Sequence, residues 1–219
     1  MNNLILEKTE DGSDTFFIPT LDEHYHSTKG ALTEAEHIFI NSGLLFLNKK
    51  NINVLEIGFG TGLNAIKTLE ATQEEDLIVS YTTLELHPLN LEQVAELNFM
   101  EKPFYKELHE AEWGKEVEVI PNFKITKLKE DFTKFHASNY NQTFDVIYFD
   151  AFGPEKQPEM WTQQLFDHLY VLLNSGGVLT TYSAKGDVRR MLQTTGFTVE
   201  RIPGPPGGKR EIIRAIKNV

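Results

Sequence analysis

The sequence predicts an α/β fold, a mostly parallel sheet that closes with a C-terminal antiparallel hairpin. Three observations carry that prediction. The run Asn53-Val54-Leu55-Glu56-Ile57 is apolar and β-branched, breaks at Gly58, Gly60 and Gly62, and resumes with Leu63, Ile66 and Leu69 at helical spacing. That is the pattern of strand, tight turn and helix. Short β-rich runs then alternate with helix-compatible segments, as a parallel sheet with crossover helices requires. Finally, residues 197–202 and 211–216 flank Pro203-Gly204-Pro205-Pro206-Gly207-Gly208 and read as two strands joined by a loop.

The elements follow in order. Residues 4–9 and 14–18 are apolar-rich runs around Glu10-Asp11-Gly12-Ser13, a β-hairpin signal. The segment 22–30 is polar and irregular and reads as a loop; His24 and His26 have no third ligand nearby, so no metal site is expected. Thr33 and Glu36 have capping-box spacing, which predicts a helix starting at Thr33, with Ile38, Phe39, Leu44 and Leu45 on its apolar side, and ending near Asn48. Residues 1–47 are therefore expected as a hairpin-and-helix extension laid against an α/β domain of 48–219. After the glycines, 77–86 is a strand with Glu85 at its C-terminal end. Pro88 opens a helix to about 97, and 104–113 suggests another. Residues 123–128 alternate as a strand and lead to Asp131. Residues 144–150 form a nearly continuous apolar strand, and 158–173 a helix closed by Asn174-Ser175-Gly176-Gly177. A strand over 178–182 and a short helix over 187–195, stopped by Gly196, complete the series.

Composition narrows the classes. With 40% hydrophobic and 24% charged residues, the 219-residue chain is ordinary globular material. No apolar run approaches a membrane span, and the first residues lack a secretory apolar core. There is no cysteine, which excludes disulfides and thiolate metal sites. A soluble cytoplasmic protein is the expectation. The net charge of −11 argues against a nucleic-acid partner, but its distribution does not: from Lys185 onward, eight Lys or Arg face three Asp or Glu. A basic end on an acidic body is either a footprint for a polyanion or a solvated face.

Glycine permits positive φ and removes the Cβ that would hold a ligand off the backbone. A dinucleotide fingerprint spaces its glycines G-x-G-x-x-G. Here the third glycine falls one place early, Leu63 follows it, and Glu56 stands two places before the first. The order E-x-G-x-G-x-G resembles motif I of the S-adenosylmethionine-dependent methyltransferases, whose loop lies against the methionine part of the cofactor. A nicotinamide site and an unliganded turn are the competing readings. Ligands of open α/β sheets bind beyond the carboxyl ends of the strands, where the glycine turn, Glu85, Asp131 and Asp150 converge. Glu85 is placed to accept from two ribose hydroxyls, or is a surface acid at a strand end. In the methyltransferase pattern an acid at Asp131 reaches the adenine amino group; a helix cap would look the same.

Further segments resemble one family, the methyltransferase module of the bacterial MnmC tRNA-modifying enzymes. Leu55-Glu56-Ile57-Gly58-Phe59-Gly60-Thr61-Gly62-Leu63-Asn64 looks like its glycine loop. The run Phe149-Asp150-Ala151-Phe152-Gly153-Pro154-Glu155-Lys156-Gln157-Pro158-Glu159-Met160-Trp161 resembles its D-x-F-x-P-x-K-x-P-x-M-W signature. Tyr25-His26-Ser27 with Glu34, Arg189-Arg190, Gly196-Phe197-Thr198 and Lys209-Arg210-Glu211 match as well. The resemblance covers nearly the whole chain and implies a class I, Rossmann-like methyltransferase domain over 48–219. It implies S-adenosyl-L-methionine as cofactor, held by Glu56, Gly58, Phe59, Gly60, Thr61, Gly62, Asn64, Glu85, Asp131 and Asp150. It implies tRNA as partner, met at the anticodon stem-loop by Tyr25, Ser27, Phe152, Pro154, Lys156, Trp161, Lys209 and Arg210. No metal enters this chemistry. The flavin-dependent oxidase domain of the fused enzyme has no counterpart here, so a stand-alone methyltransferase working beside a separate oxidase or upstream modification enzyme is expected. Pro205-Pro206-Gly207-Gly208 replaces a more basic loop.

The implied reaction methylates the primary amine of 5-aminomethyl-(2-thio)uridine at the wobble position. A lysine-like amine has a reference pKa of about 10.4 and is mostly protonated at neutral pH, so a group must accept or orient its proton. Asp150 is the expected catalytic residue, with orientation favoured over abstraction because an ordinary Asp is a weak base. Phe152 and Trp161 either stack on the uracil or belong to the core; Lys156, Lys209 and Arg210 are candidates for phosphates. An aminopropyltransferase of the spermidine-synthase type is the rival enzyme, disfavoured by the single Asp150 ahead of Phe152-Gly153-Pro154. A methyltransferase acting on another amine stays open. A tRNA-binding module with a dead cofactor site is the non-enzyme reading, set against the intact glycine and Glu85 pattern.

Overall fold

The computed structural model describes residues 4–219; Met1, Asn2 and Asn3, which the expected extension includes, lie outside the described residues. Strands β1 (Ile5–Lys8) and β2 (Asp14–Ile18) form the expected hairpin, and β3 (Glu23–His24) adds to it through Phe17 and Ile18. This third strand falls in the segment read as loop. Its two residues are too few to leave a periodic signal.

Helix α1 (Ala31–Ala35) runs on as a π-helical stretch (Glu36–Leu44) and a 3-10 turn (Leu45–Leu47). It starts before Thr33, so the expected capping box is absent. Asp11, in the hairpin turn, does the capping instead: its Oδ2 accepts from the Thr33 amide at 3.1 Å and the Thr33 hydroxyl at 3.2 Å. A distant carboxylate satisfies the free amide as well as a local one would. The π-helical stretch packs on α2 (Leu63–Glu74), β8 (Phe144–Phe149), β9 (Leu173–Thr181) and β11 (Glu211–Ile216), and so lies against the main sheet.

That sheet has eight strands, the others being β4 (Asn51–Ile57), β5 (Ile78–Leu84), β6 (Glu116–Ile120), β7 (Phe123–Leu128) and β10 (Thr198–Pro203). Helices α3 (Leu91–Ala95), α4 (Tyr105–Glu110), α5 (Gln163–Leu172) and α6 (Gly186–Thr195) join α2 in connecting them. The spatial order is β10-β11-β9-β8-β4-β5-β7-β6, with β4, β5, β7, β8 and β9 parallel. β10 and β11 form the expected antiparallel hairpin. β6, antiparallel to β7, has no counterpart among the expected strands, although Glu116-Val117-Glu118-Val119 alternates polar and apolar as a half-buried strand does.

Two other boundaries move. Asn174-Ser175-Gly176-Gly177 belongs to β9 rather than closing a helix, and Asn174 donates to Asp145 Oδ1 at 3.0 Å across a bulge beside β8. The helix expected over 158–173 divides into a 3-10 turn at Pro158–Met160 and α5, with the Thr162 hydroxyl accepting from Leu165 N at 3.4 Å.

Alternation along the central strands explains the double burial. Val54, Val146 and Tyr148 face α2 and the π-helical stretch, packing with Ile38, Phe39, Ile66 and Leu69. Leu55, Ile57, Ile147 and Phe149 face α5 and α6, packing with Phe166, Leu169 and Leu192. A strand covered on both faces reads as a continuous apolar run. From β4 the chain winds outward to β5 and β7, then returns to β8 on the other side of β4. That switch in strand order leaves a crevice beyond the carboxyl ends of β4 and β8, where Gly58 and Asp150 stand.

Candidate active site

The crevice holds two cavities that meet. The first, about 400 Å³, lies over the glycine turn and is walled by Gly58, Phe59, Gly60, Glu85, Asp131 and Phe132 among others. The second, about 660 Å³, lies under the N-terminal segment, with Ser27, Glu34, Pro154, Tyr182, Lys209 and Arg210 on its wall. Tyr25, His26, Asn64, Asp150, Ala151 and Phe152 line both and form the junction.

The turn is bare because nothing larger fits. Gly58 has φ 96°, and a Cβ there would stand 2.8 Å from the Asp150 carbonyl oxygen. Asp150 N donates to Ile57 O at 3.0 Å, so the two strand ends are tied at this point. A Cβ on Gly60 would meet the Tyr25 ring at 3.1 Å. Glu85 accepts from Gly60 N at Oε2 (3.1 Å) and from His87 N at Oε1 (2.8 Å). A carboxylate offers about four lone-pair sites, so each oxygen keeps capacity for a ligand hydroxyl. Asp131 also lines this cavity, but its carboxylate caps a 3-10 turn, accepting from Thr133 N at 3.0 Å and Thr133 Oγ1 at 2.6 Å, and pairs with Lys134 at 3.0 Å.

At the junction Asn64 Nδ2 donates to Asp150 Oδ2 at 2.8 Å, which leaves Oδ1 without a protein partner among the described residues. Burial pushes the Asp150 carboxyl up to about 7; the Asn64 hydrogen bond pulls it back, Glu34 raises it, and Lys209 lowers it. Phe152 stands edge-on to Tyr25, ring centroids 5.4 Å apart, where the cavities meet.

Three of the expected cofactor residues sit behind the loop instead of on a cavity wall. Thr61 is fully buried: its carbonyl accepts from the Tyr105 hydroxyl and from His109 Nε2 (3.0 Å), and its hydroxyl meets His26 Nε2 at 2.5 Å. Gly62 lies against the same His109 ring. Burial lowers both His26 and His109 to about 4, so the clamp is made by neutral imidazoles. Sequence reasoning misses this clamp; the only local trace is the i, i+4 spacing of Tyr105 and His109, which puts both on one face of α4. Lys127 supports it from below, its ammonium donating to His109 O at 2.6 Å and lying 4.9 Å from the Trp113 ring centroid.

Glu56 is the third. It is fully buried on β4, and neither carboxylate oxygen makes a hydrogen bond of good geometry. Desolvation raises it from 4.5 to about 8, so at neutral pH it is a neutral acid. Native Glu56 therefore binds a proton that the unfolded chain has lost between about 4.5 and about 8, and its contribution to stability declines as pH rises through that window. Glu56→Gln should flatten the decline: the difference in denaturant midpoint between variant and wild type should shift in favour of the variant from pH 5 to pH 8. A pH-independent difference would show that Glu56 is ionised in the native state.

Of the expected substrate residues, Tyr25, Ser27, Phe152, Pro154, Lys209 and Arg210 line the second cavity. Lys156 and Trp161 line neither. Lys156 pairs with Asp22 at 3.2 Å. Trp161 is 5% exposed, packs on Phe149 and donates Nε1–H to Phe152 O at 2.8 Å. Its ring is core, as the second of its two readings has it, and it bears on the site only by holding the Phe152 backbone. His24 and His26 part company, His24 pairing with Glu7.

Comparison with known proteins adds to this geometry. A family model described as S-adenosyl-L-methionine-dependent methyltransferase matches residues 100–218. The tRNA 5-methylaminomethyl-2-thiouridine biosynthesis bifunctional protein MnmC of Cupriavidus necator is 30% identical over 213 residues, covering 88% of this chain and 31% of that protein. Its counterpart from Leptospira interrogans is 29% identical, covering 88% and 32%. The chain thus spans about a third of the length of these relatives. The crystal structure of MNMC2 from Aquifex aeolicus matches with TM-score 0.82 and 25% identity over 100% of this chain and 71% of that one. TrmN from Thermus thermophilus, at TM-score 0.51 and 17% identity over 80% of this chain and 47% of that one, shares the fold.

Proposed function

Because the chain belongs to the S-adenosyl-L-methionine-dependent methyltransferases, we propose that its paired cavities serve to methylate the primary amine of 5-aminomethyl-(2-thio)uridine at a tRNA wobble position. The product is 5-methylaminomethyl-(2-thio)uridine. The observation that carries this reading is the junction: Asp150, held by Asn64, is shared by the cavity over the glycine turn and the acidic cavity beside it.

The residues present fit the cofactor. The bare Gly58–Gly60 turn admits close approach to the backbone, Glu85 has lone pairs left for ribose hydroxyls, and Phe59, Leu84 and Phe132 offer an apolar wall for a purine. When bound, S-adenosyl-L-methionine supplies an electrophilic methyl on a sulfonium.

The chain's own groups supply the rest. Asp150 Oδ1 is the free oxygen at the junction and takes the proton that the amine must shed to gain its lone pair. A carboxyl lifted to about 7 is a stronger base than an ordinary Asp, so abstraction becomes a larger part of its role than the sequence implied. Asn64 fixes the carboxylate plane, and Phe152 and Tyr25 bound the passage between cavities. Holding donor and acceptor aligned in this way accounts for most of the acceleration expected of an in-line displacement. The names of the relatives support tRNA as the acceptor, and so does the basic rim of Lys209 and Arg210. The aminomethyl group itself must come from an upstream modification enzyme.

The test is incubation with labelled S-adenosyl-L-methionine and tRNA from cells lacking this methylation, followed by digestion to nucleosides. Label should appear in 5-methylaminomethyl-(2-thio)uridine; label in any other nucleoside, or none, overturns the reading. Neutralising Lys209 and Arg210 together should also flatten the salt dependence of tRNA binding, by roughly 0.7 in logarithmic slope for each phosphate left without its cation. An unchanged slope would remove both side chains from the RNA interface.

A further inference from the structure

The acceptor cavity contains an ion pair whose carboxylate the chemistry above gives no contact with the acceptor. Glu34, on α1, accepts from the Lys209 ammonium through Oε1. That ammonium also lies 4.6 Å from the Tyr182 ring centroid, and Tyr182 donates to the Ala151 carbonyl at 2.8 Å, next to Asp150. The Glu34 side chain is 13% exposed and that of Lys209 35%. A carboxylate so far withdrawn from water needs a cation, and here Lys209 is that cation. The loop that carries it is pinned in place. His37, one helical turn beyond Glu34, donates to Pro203 O at 2.8 Å, and Gly204 N donates to Arg210 O at 3.0 Å. The cavity wall is otherwise rich in acid, with Glu23, Asp150, Glu155 and Glu211.

We propose that Glu34 is a second amine-binding carboxylate of the acceptor site, and that Lys209 occupies it until an RNA phosphate draws the lysine away. The inference rests on the amine-methylation reading above. An acceptor ammonium entering the cavity competes with Lys209 for Glu34. A phosphate beside Arg210 gives Lys209 an alternative partner of opposite charge. Each event favours the other, and by linkage the coupling is reciprocal. The site thereby selects an amine attached to a polynucleotide over a free amine or an unmodified RNA. Specificity comes from the cost of breaking the resident pair when only one of the two charges arrives.

The experiment measures calorimetric affinities for 5-aminomethyluridine and for its 3′,5′-bisphosphate, with S-adenosylhomocysteine present. Wild type should bind the bisphosphate at least about tenfold more tightly than the nucleoside, within the range of coupled sites. Lys209→Met should bind the nucleoside about tenfold more tightly than wild type and gain less from the phosphates. In Glu34→Gln/Lys209→Met the tighter nucleoside binding should vanish. A purely structural role for the pair would weaken both ligands alike. Lys209→Gln serves the same comparison if Lys209→Met does not fold. Nucleoside affinity in the lysine variant no higher than in wild type overturns the inference. If wild type still methylates tRNA, that result defeats the ion pair alone, whereas absence of transfer by wild type defeats both readings.

Discussion

Asp150→Ala is expected to lower kcat by about 10²–10⁴-fold, the usual contribution of a positioned acid–base group, while cofactor affinity changes by only a few-fold. The asymmetry follows from where the carboxylate is held. One oxygen is bound by Asn64 and the other is free at the junction. The cavity over the glycine turn keeps that turn, Glu85 and its apolar wall without this side chain. The pH dependence has a definite sign. A base works deprotonated, and burial has lifted this carboxyl to about 7, so kcat/KM should rise with pH through about 7. Asp150→Asn should remove that limb as well as most of the rate. Steady-state kinetics across pH 5.5–9 and calorimetric titration with S-adenosylhomocysteine check both parts. Equal losses in rate and in cofactor affinity would reduce Asp150 to a cofactor ligand.

Gly58→Ala should have the other large effect, on both cofactor binding and turnover. Gly58 has φ 96°, a region that costs a non-glycine residue about 1–3 kcal/mol. The added Cβ would also stand 2.8 Å from the Asp150 carbonyl oxygen, which is backbone and cannot rotate away. Either the turn or the end of β8 must shift, and both carry the site. We expect cofactor affinity to fall at least about tenfold and kcat to fall further, because displacement of the order of 1 Å can cost about 100-fold in a reaction that depends on alignment. Gly114→Ala separates the two causes. Its φ of 79° imposes the same kind of backbone strain, yet nothing lies within 4 Å of its Cβ. It should lose stability alone. If Gly58→Ala merely lowers the melting temperature as Gly114→Ala does, the close approach of turn and strand has no functional weight.

These two effects are unequally visible in the sequence. The glycine spacing and the acid ending an apolar run stand within a dozen residues of their own strands, so local pattern exposes them. The value of about 7 at Asp150 does not follow from pattern. It depends first on burial and then on Asn64, Glu34 and Lys209, and the last two stand 175 positions apart in the chain. Trp161 shows the same division. Its place in a recognisable segment is legible, but whether the indole meets a ligand or the core turns on how Phe149 and Phe152 pack around it.

What this sequence determines unaided is the sheet and its mouth. Central strands buried on both faces require unbroken apolar runs, their ends require glycine or a cap, and residues that stop a strand fall at the crevice by topology alone. What the tertiary structure decided is which polar group meets which. Asp11 displaced the local cap of α1, His26 and His109 turned Thr61 away from the cavity, and Glu34 found Lys209. The physical reason is one of range. Backbone pattern is set by neighbours three or four positions away, whereas a buried polar atom takes whichever partner the folded chain brings within hydrogen-bonding distance, and spacing along the sequence holds no record of that.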